Sequence, residues 1–418
     1  MSHNINISNW TLKNGLQVVV SQDKNIASSV VNIVYNVGSK HETPERTGFA
    51  HLFEHLMFEG SEDIANFDEP LQEVGGNNNA FTSTDITNYY IHLPAHALDT
   101  ALWLESNRLK GLAFSEEKLR VQKGVVIEEF NQNYINQPYG DLFHELRSMC
   151  FSKHGYAWPT IGKTPQHVED ATLEEVKAFF YAHYTPSNAC LVVVGPQSPE
   201  EVLNRVKYWF EDVERKQDGV YTPWEEKDGS LSREKTVVKK APLSLSLMAF
   251  PTPSCFDPNY PLLELFADIM GGGKSSRIHR ELVDEGSLTD GFVGLTHETD
   301  SGLAYIPLFF GQLNEPKAVE KAFAVLWESS LKDGSEEMEA EWEKAKNQWL
   351  LDWEMLFLNP VKKAQWLAKA ALFGKVDLLN TLPETVKRST WSSAQPYIQE
   401  IFQLANSKVL HYLKEEDQ

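Results

Sequence analysis

Hydrophobic and polar positions alternate between two periods along this chain, and the switches predict its elements. Residues 15–21 (GLQVVVS) and 28–36 (SSVVNIVYN) are dense in Val and Ile, the β-branched residues that suit a pleated surface, and predict two opening strands. Residues 48–58 carry helical spacing, and a further short stretch spans 69–74. Residues 79–93 (NAFTSTDITNYYIHL) predict a strand pair turning near 83–85. Helical periodicity returns over 95–110 and 115–133, with Ser115 as N-cap and Glu116 and Glu117 in the first turn. A helix over 172–184 opens with a capping box of Thr172 and Glu175. Residues 189–195 (ACLVVVG) are apolar throughout and predict a buried strand.

From residue 213 to 233 the pattern fades into charged residues with Gly219, Pro223 and Gly229, a composition that predicts a linker. The order of elements then repeats: strand at 243–250, helix at 259–270, strand at 301–310, helices, and a closing strand at 408–412. The expectation is an α+β chain of two homologous α/β-sandwich-like domains in tandem, at 1–212 and 234–418, joined by 213–233.

Composition narrows the function classes. Net charge is −21, with 59 Asp+Glu against 38 Lys+Arg, which leaves no basic stripe for phosphates and argues against nucleic-acid binding. The 42% hydrophobic content is enough for full cores. The three cysteines are scattered, so neither a disulfide framework nor a thiolate metal site is expected. No apolar run approaches the length of a membrane span. The first residues lack the pattern of a secretory leader, so the expected compartment is the cytoplasm, or the periplasm if a leader has been removed.

The chemistry concentrates in His51-Leu52-Phe53-Glu54-His55. Residues four apart share one helix face, so His51 and His55 can present two imidazole nitrogens to one zinc ion. Glu54 can stand beside the metal without binding it and take a proton from a metal-bound water; this is the H-x-x-E-H order. The competing reading is two histidines on a helix whose Leu52, Phe53, Leu56 and Phe58 are ordinary core. A catalytic zinc needs a third protein ligand and an open position. On the 115–133 helix, Gln122, Val126, Glu129 and Asn133 form one stripe, and an inward carboxylate is costly without a cation. Glu129 is therefore the candidate third ligand, and Glu128 the surface residue beside it.

These residues resemble the pitrilysin/insulinase family, the inverzincins. Residues 48–58 (GFAHLFEHLMF) are similar to the family's metal helix, 75–82 (GGNNNAFT) to its Gly-rich turn into an edge strand, and 122–129 (QKGVVIEE) to the helix carrying its third ligand. Residues 271–277 (GGGKSSR) match a turn of the second half. The resemblance spans nearly the whole chain and implies a metalloendopeptidase. It would hold one zinc per chain on His51, His55 and Glu129, with Glu54 as general base. It also implies that a peptide substrate adds to the edge strand at Asn79, Ala80, Phe81 and Thr82.

The family pattern is broken in two places. Gln122 stands where many relatives carry a second Glu near the ligands. The Arg and Tyr with which many active members grip substrate fall on Val283 and Asp290, and Tyr305 is assigned to the core. In the family's short members one chain forms half of a clamshell. The resemblance therefore implies a metal-bearing subunit, paired with a homologous metal-less subunit that carries the Arg/Tyr pair, or with a second copy of itself. The competing class is a non-catalytic scaffold or chaperone-like subunit of a homologous complex, which would ordinarily have lost the metal residues. Residues 271–276 (GGGKSS) imitate a phosphate loop, but Asp268 stands where that motif needs Gly, and a phosphate loop follows a strand, whereas this one is expected to follow a helix. Trp342, Trp349, Trp353 and Trp366 have near-helical spacing and are expected to pack.

Overall fold

The structure, a computed structural model, describes residues 5–214, 231–311 and 315–415; most of the predicted linker lies outside the described residues. Among these residues the strands form two mixed sheets. The first holds β1 (Ser8–Thr11), β2 (Gln17–Gln22), β3 (Ser28–Tyr35), β4 (Asn77–Thr82), β5 (Thr87–Pro94) and β6 (Ala189–Gly195), in the order β1-β2-β6-β3-β5-β4. The second holds β7 (Glu234–Lys239), β8 (Ser244–Thr252), β9 (Asp290–Gly291), β10 (Gly294–Leu295), β11 (Gly302–Phe310) and β12 (Lys408–Lys414). Its order is β10-β11-β8-β12-β7, with β9 also paired to β11.

The sheets share one plan. In the first, β2 runs parallel to β6, and β6, β3, β5 and β4 follow antiparallel. In the second, β7 runs parallel to β12, and β12, β8, β11 and β10 follow antiparallel. The duplication read faintly from the element order is therefore a duplication of topology. Its two copies differ where the chemistry lies. The helix after β3 is Phe49–Leu56, with the two histidines; the helix after β8 is Tyr260–Gly271 (YPLLELFADIMG), which carries no histidine and is almost wholly buried. In place of the long edge strand β4 the second sheet has the two-residue β10.

Each sheet is the floor of a compact unit, and the units do not follow chain order. One comprises residues 1–133, 153–225 and 354–379; the other comprises 134–152, 226–353 and 380–418. The first unit borrows the Pro360–Leu372 helix, which packs on β6, β3 and β2. Its buried face is Ala364, Leu367, Ala368, Ala370 and Ala371. Such small side chains let a helix lie close against a strand. β6 beneath is buried at all seven positions, which explains why its sequence shows no alternation. The second unit receives Leu142–Cys150, which packs on β12 and β8.

Local signals match the elements they predict. Ser115 accepts a hydrogen bond from the Lys118 N–H at the head of the Glu116–Phe130 helix, and the Thr172/Glu175 capping box is formed. Trp342 is fully buried in the second core, and Trp349 stacks on Trp353 with ring centroids 4.9 Å apart. Tyr305 is half-buried against Phe143 and Phe292. The 271–276 loop follows a helix, and Lys344 donates to its Ser275. No helix among the described residues is long and apolar enough to cross a membrane.

Candidate metal centre

The Phe49–Leu56 helix is amphipathic: Phe49, Ala50, Leu52, Phe53 and Leu56 are buried, and His51, Glu54 and His55 lie on its half-exposed side. Its start is unusual. The N-cap is Gly48, with φ +91° and no side chain to cap with; a Cβ there would meet the Ile161 carbonyl oxygen at 2.7 Å. The cap comes instead from Glu42, only 4% exposed. Its Oε2 accepts from the Gly48 N–H (3.0 Å) and the Trp158 indole N–H (3.1 Å), and its Oε1 accepts from the Ala50 N–H (2.9 Å). A carboxylate at a helix N-terminus complements the orphan N–H groups and the dipole. Farther along, the Tyr89 hydroxyl donates to the Phe53 carbonyl at 3.2 Å. Sequence reasoning missed both supports, because capping rules look within the helix's first turn and Glu42 lies six residues before the cap.

Glu129 arrives from the neighbouring Glu116–Phe130 helix. The donor atoms of His51, His55 and Glu129 all lie within 4.8 Å of one another. Glu129 Oε2 is 3.6 Å from His51 Nε2 and 3.5 Å from His55 Nε2. These separations exceed hydrogen-bond length. They approach the roughly 3.3 Å that separates two ligands of a tetrahedral zinc with bonds of about 2.0–2.1 Å. Burial, with the neighbouring His55 adding to it, pushes the His51 imidazole down to about 4, so it is neutral near pH 7 with a lone pair to offer. Two imidazole nitrogens and a carboxylate oxygen aimed at one point, unbonded to one another, fit a zinc ion.

Glu54 stands next to this cluster. The Thr82 hydroxyl donates to its Oε2 at 2.6 Å. Burial raises the Glu54 carboxyl above its ordinary value, while the Thr82 bond pulls it down. Thr82 is the last residue of β4, which ends the first sheet and, among the described residues, pairs only with β5. Along β4, Asn77, Asn79 and Phe81 are exposed and Asn78, Ala80 and Thr82 half-buried. The Asn79 side-chain oxygen accepts from the Ala80 N–H at 2.8 Å. Gln122 lies seven residues before Glu129, and its amide donates to Glu59 Oε1 at 2.5 Å. In the second unit, Val283 packs partly buried against the core and Asp290 is exposed. Arg277 is held by Glu341 (2.7 Å), Asp333 (2.8 Å) and Ser330 (3.3 Å).

Residues 17–163 match the profile described as insulinase (peptidase family M16), and residues 170–349 match the one described as peptidase M16 inactive domain. The chain is 30% identical to the zinc protease PqqE of Helicobacter pylori, over 80% of this chain and 77% of that protein. It is 27% identical to a probable mitochondrial-processing peptidase subunit beta of Arabidopsis thaliana, over 48% of this chain and 38% of that one. The crystal structure of a protease from Helicobacter pylori superposes with a TM-score of 0.90 at 26% identity, covering 98% of this chain and 99% of the other.

Proposed function

Since the chain belongs to the insulinase family, peptidase family M16, we propose that it is a zinc-dependent endopeptidase acting on unfolded peptides or short polypeptides. The observation that carries this reading is the convergence of His51 Nε2, His55 Nε2 and Glu129 Oε2, with Glu54 alongside. The inactive-domain profile falls on residues 170–349, beyond all four of these side chains. Zinc, when bound by those three residues, supplies Lewis acidity that lowers the pKa of water and polarises a peptide carbonyl.

The rest is the chain's own work. Glu54 takes the proton of the attacking water, holds it, and delivers it to the departing amine nitrogen. Thr82 fixes one carboxylate oxygen of Glu54, so the base is oriented from the strand on which substrate would lie. The outer edge of β4 offers Asn79, Ala80, Phe81 and Thr82 to an added peptide strand; for this, the Asn79 side chain must give up the Ala80 N–H.

The same proposal extends to the assembly. Val283 and Asp290 cannot grip a substrate carbonyl as an Arg/Tyr pair would, and Arg277 is committed to Glu341 and Asp333. The chain is then the metal-bearing subunit of a dimer whose partner, a homologue without the metal motif, supplies those groups; a second copy of the chain is the alternative partner. The test is cleavage of a fluorogenic peptide library by the purified chain, with and without the co-purified homologue. Glu54→Gln should lower cleavage by roughly 10²–10⁴-fold while the bound zinc stays. Cleavage that survives this substitution would overturn the mechanism, and full activity of the chain alone would overturn the need for a metal-less partner.

A further inference from the structure

In the second unit, far along the sequence from the motif helix, the donor atoms of Glu234, Glu320 and His411 also lie within 4.8 Å of one another. Three elements meet there. Glu234 opens β7, the strand that ends the second sheet; His411 lies on β12, parallel to it; Glu320 lies on the Pro316–Lys332 helix. Glu234 is in register with Val409, and Val409 and His411, two apart on β12, point to the same face of the sheet. That face is the core face, since Val409 belongs to the second hydrophobic core.

His411 is the informative residue. It is 2% exposed. Its Nδ1 pairs with the Ser246 hydroxyl at 2.8 Å across the β8–β12 register. Its Nε2 is buried with no hydrogen-bond partner, 3.4 Å from Glu234 Oε1 and 3.9 Å from Glu320 Oε2. A buried imidazole whose Nδ1 is held by a hydroxyl and whose Nε2 lies within 3.4–3.9 Å of two carboxylates is the arrangement of a ligand oriented by a supporting hydrogen bond. The Lys317 ammonium bonds Glu234 Oε2 (2.5 Å) and Glu320 Oε2 (2.9 Å) from the same helix. Two carboxylates against one ammonium leave a net negative charge beside a neutral nitrogen donor. Lys317 is itself 60% exposed, so it can swing into water at small cost.

The geometry points to a second divalent-cation site formed by Glu234, Glu320 and His411, with Lys317 as the counter-ion that a metal displaces. One imidazole and two carboxylates select an ion of the zinc class over magnesium or calcium, which take oxygen donors alone. The ion would tie the edge strand β7 to its neighbour and to the covering helix, so its effect is on the stability of this unit and not on the chemistry at Glu54.

The probe is zinc alone, titrated by calorimetry into the full chain carrying His51→Ala and His55→Ala, so that the first site contributes nothing and its own fate is not at issue. The expected result is one zinc per chain, with a dissociation constant of about 10 μM or tighter. His411→Ala and, at the half-exposed position, Glu320→Gln should each weaken it by at least about tenfold. Lys317→Met should tighten it several-fold and raise the zinc-dependent gain in melting temperature. Because Glu320→Gln removes a ligand without emptying a core position, it keeps the test open if His411→Ala fails to fold. No zinc bound up to about 100 μM, or one bound zinc indifferent to both ligand substitutions, overturns the site.

Discussion

Glu42 offers the sharpest test of how the motif helix is held. Its buried carboxylate accepts from three converging donors, the N–H groups of Gly48 and Ala50 and the Trp158 indole. Burial pushes its carboxyl up to about 8, and the three donors pull the other way. Glu42→Ala strands the Gly48 and Ala50 N–H groups, while the Trp158 indole keeps the Ser39 carbonyl at 3.1 Å; at roughly 1–3 kcal/mol for each buried, unpaired donor, the loss should be on the order of 2–6 kcal/mol. Glu42→Gln sets the two effects against each other. The amide oxygen can satisfy one side of the cap, but its NH2 must then face at least one N–H, donor against donor. If the donors dominate, Glu42→Gln loses about 1–3 kcal/mol; if the cost of burying charge dominates, it loses nothing or gains. We expect the loss. For a unit of roughly 200 residues it appears as a fall of about 2–4 °C in melting temperature per kcal/mol, read by tryptophan fluorescence at a pH above 8, where Glu42 is ionised. Zinc affinity should fall with it, since His51 follows Ala50 directly. A Glu42→Gln chain melting at or above the wild type would refute the reasoning.

Other outcomes follow from the same geometry. Thr82→Val removes the 2.6 Å bond that orients Glu54 and lowers its pKa; turnover should fall by about tenfold and the acid limb of the pH–rate profile move upward, with zinc content unchanged. His183, pushed down by burial to about 4, stays neutral in the fold and takes up a proton first in the unfolded chain. Its contribution to stability is therefore complete above the unfolded value near 6.5 and is lost as pH falls toward 4, by up to about 1.4 kcal/mol per pH unit. His183→Gln should flatten that slope in thermal melts, and an unchanged slope would reject the assignment. Lys40 and Asp85 form a 2.8 Å ion pair with side chains 3% and 2% exposed; Lys40→Met should cost about 3–5 kcal/mol by removing the cation that offsets a buried carboxylate, which keeps the Tyr156 hydroxyl, measurable by urea unfolding.

The sequence by itself determined most strands and helices of the first unit and the candidates for the proposed metal site, but not β1, β7 or the Leu142–Cys150 helix. Val/Ile runs, caps at Ser115 and Thr172, and the four-residue spacing of His51 and His55 are local facts, because strand and helix periods and first-turn hydrogen bonds act over a few residues. Glu129 was legible as a candidate for the same reason, as the carboxylate sharing a helix stripe with the buried Val126. The tertiary structure alone decided what lies between elements. It brought Glu129 to within 3.6 Å of both imidazoles, set Thr82 against Glu54, and delivered Glu42 to a helix whose own N-cap is a glycine. It sent the Pro360–Leu372 helix to the first sheet and the Leu142–Cys150 helix to the second, and put His411 opposite Glu234 and Glu320. None of these pairings leaves a periodic trace, because a hydrogen bond or ligand contact between residues tens to hundreds apart constrains single positions, while packing constrains whole faces.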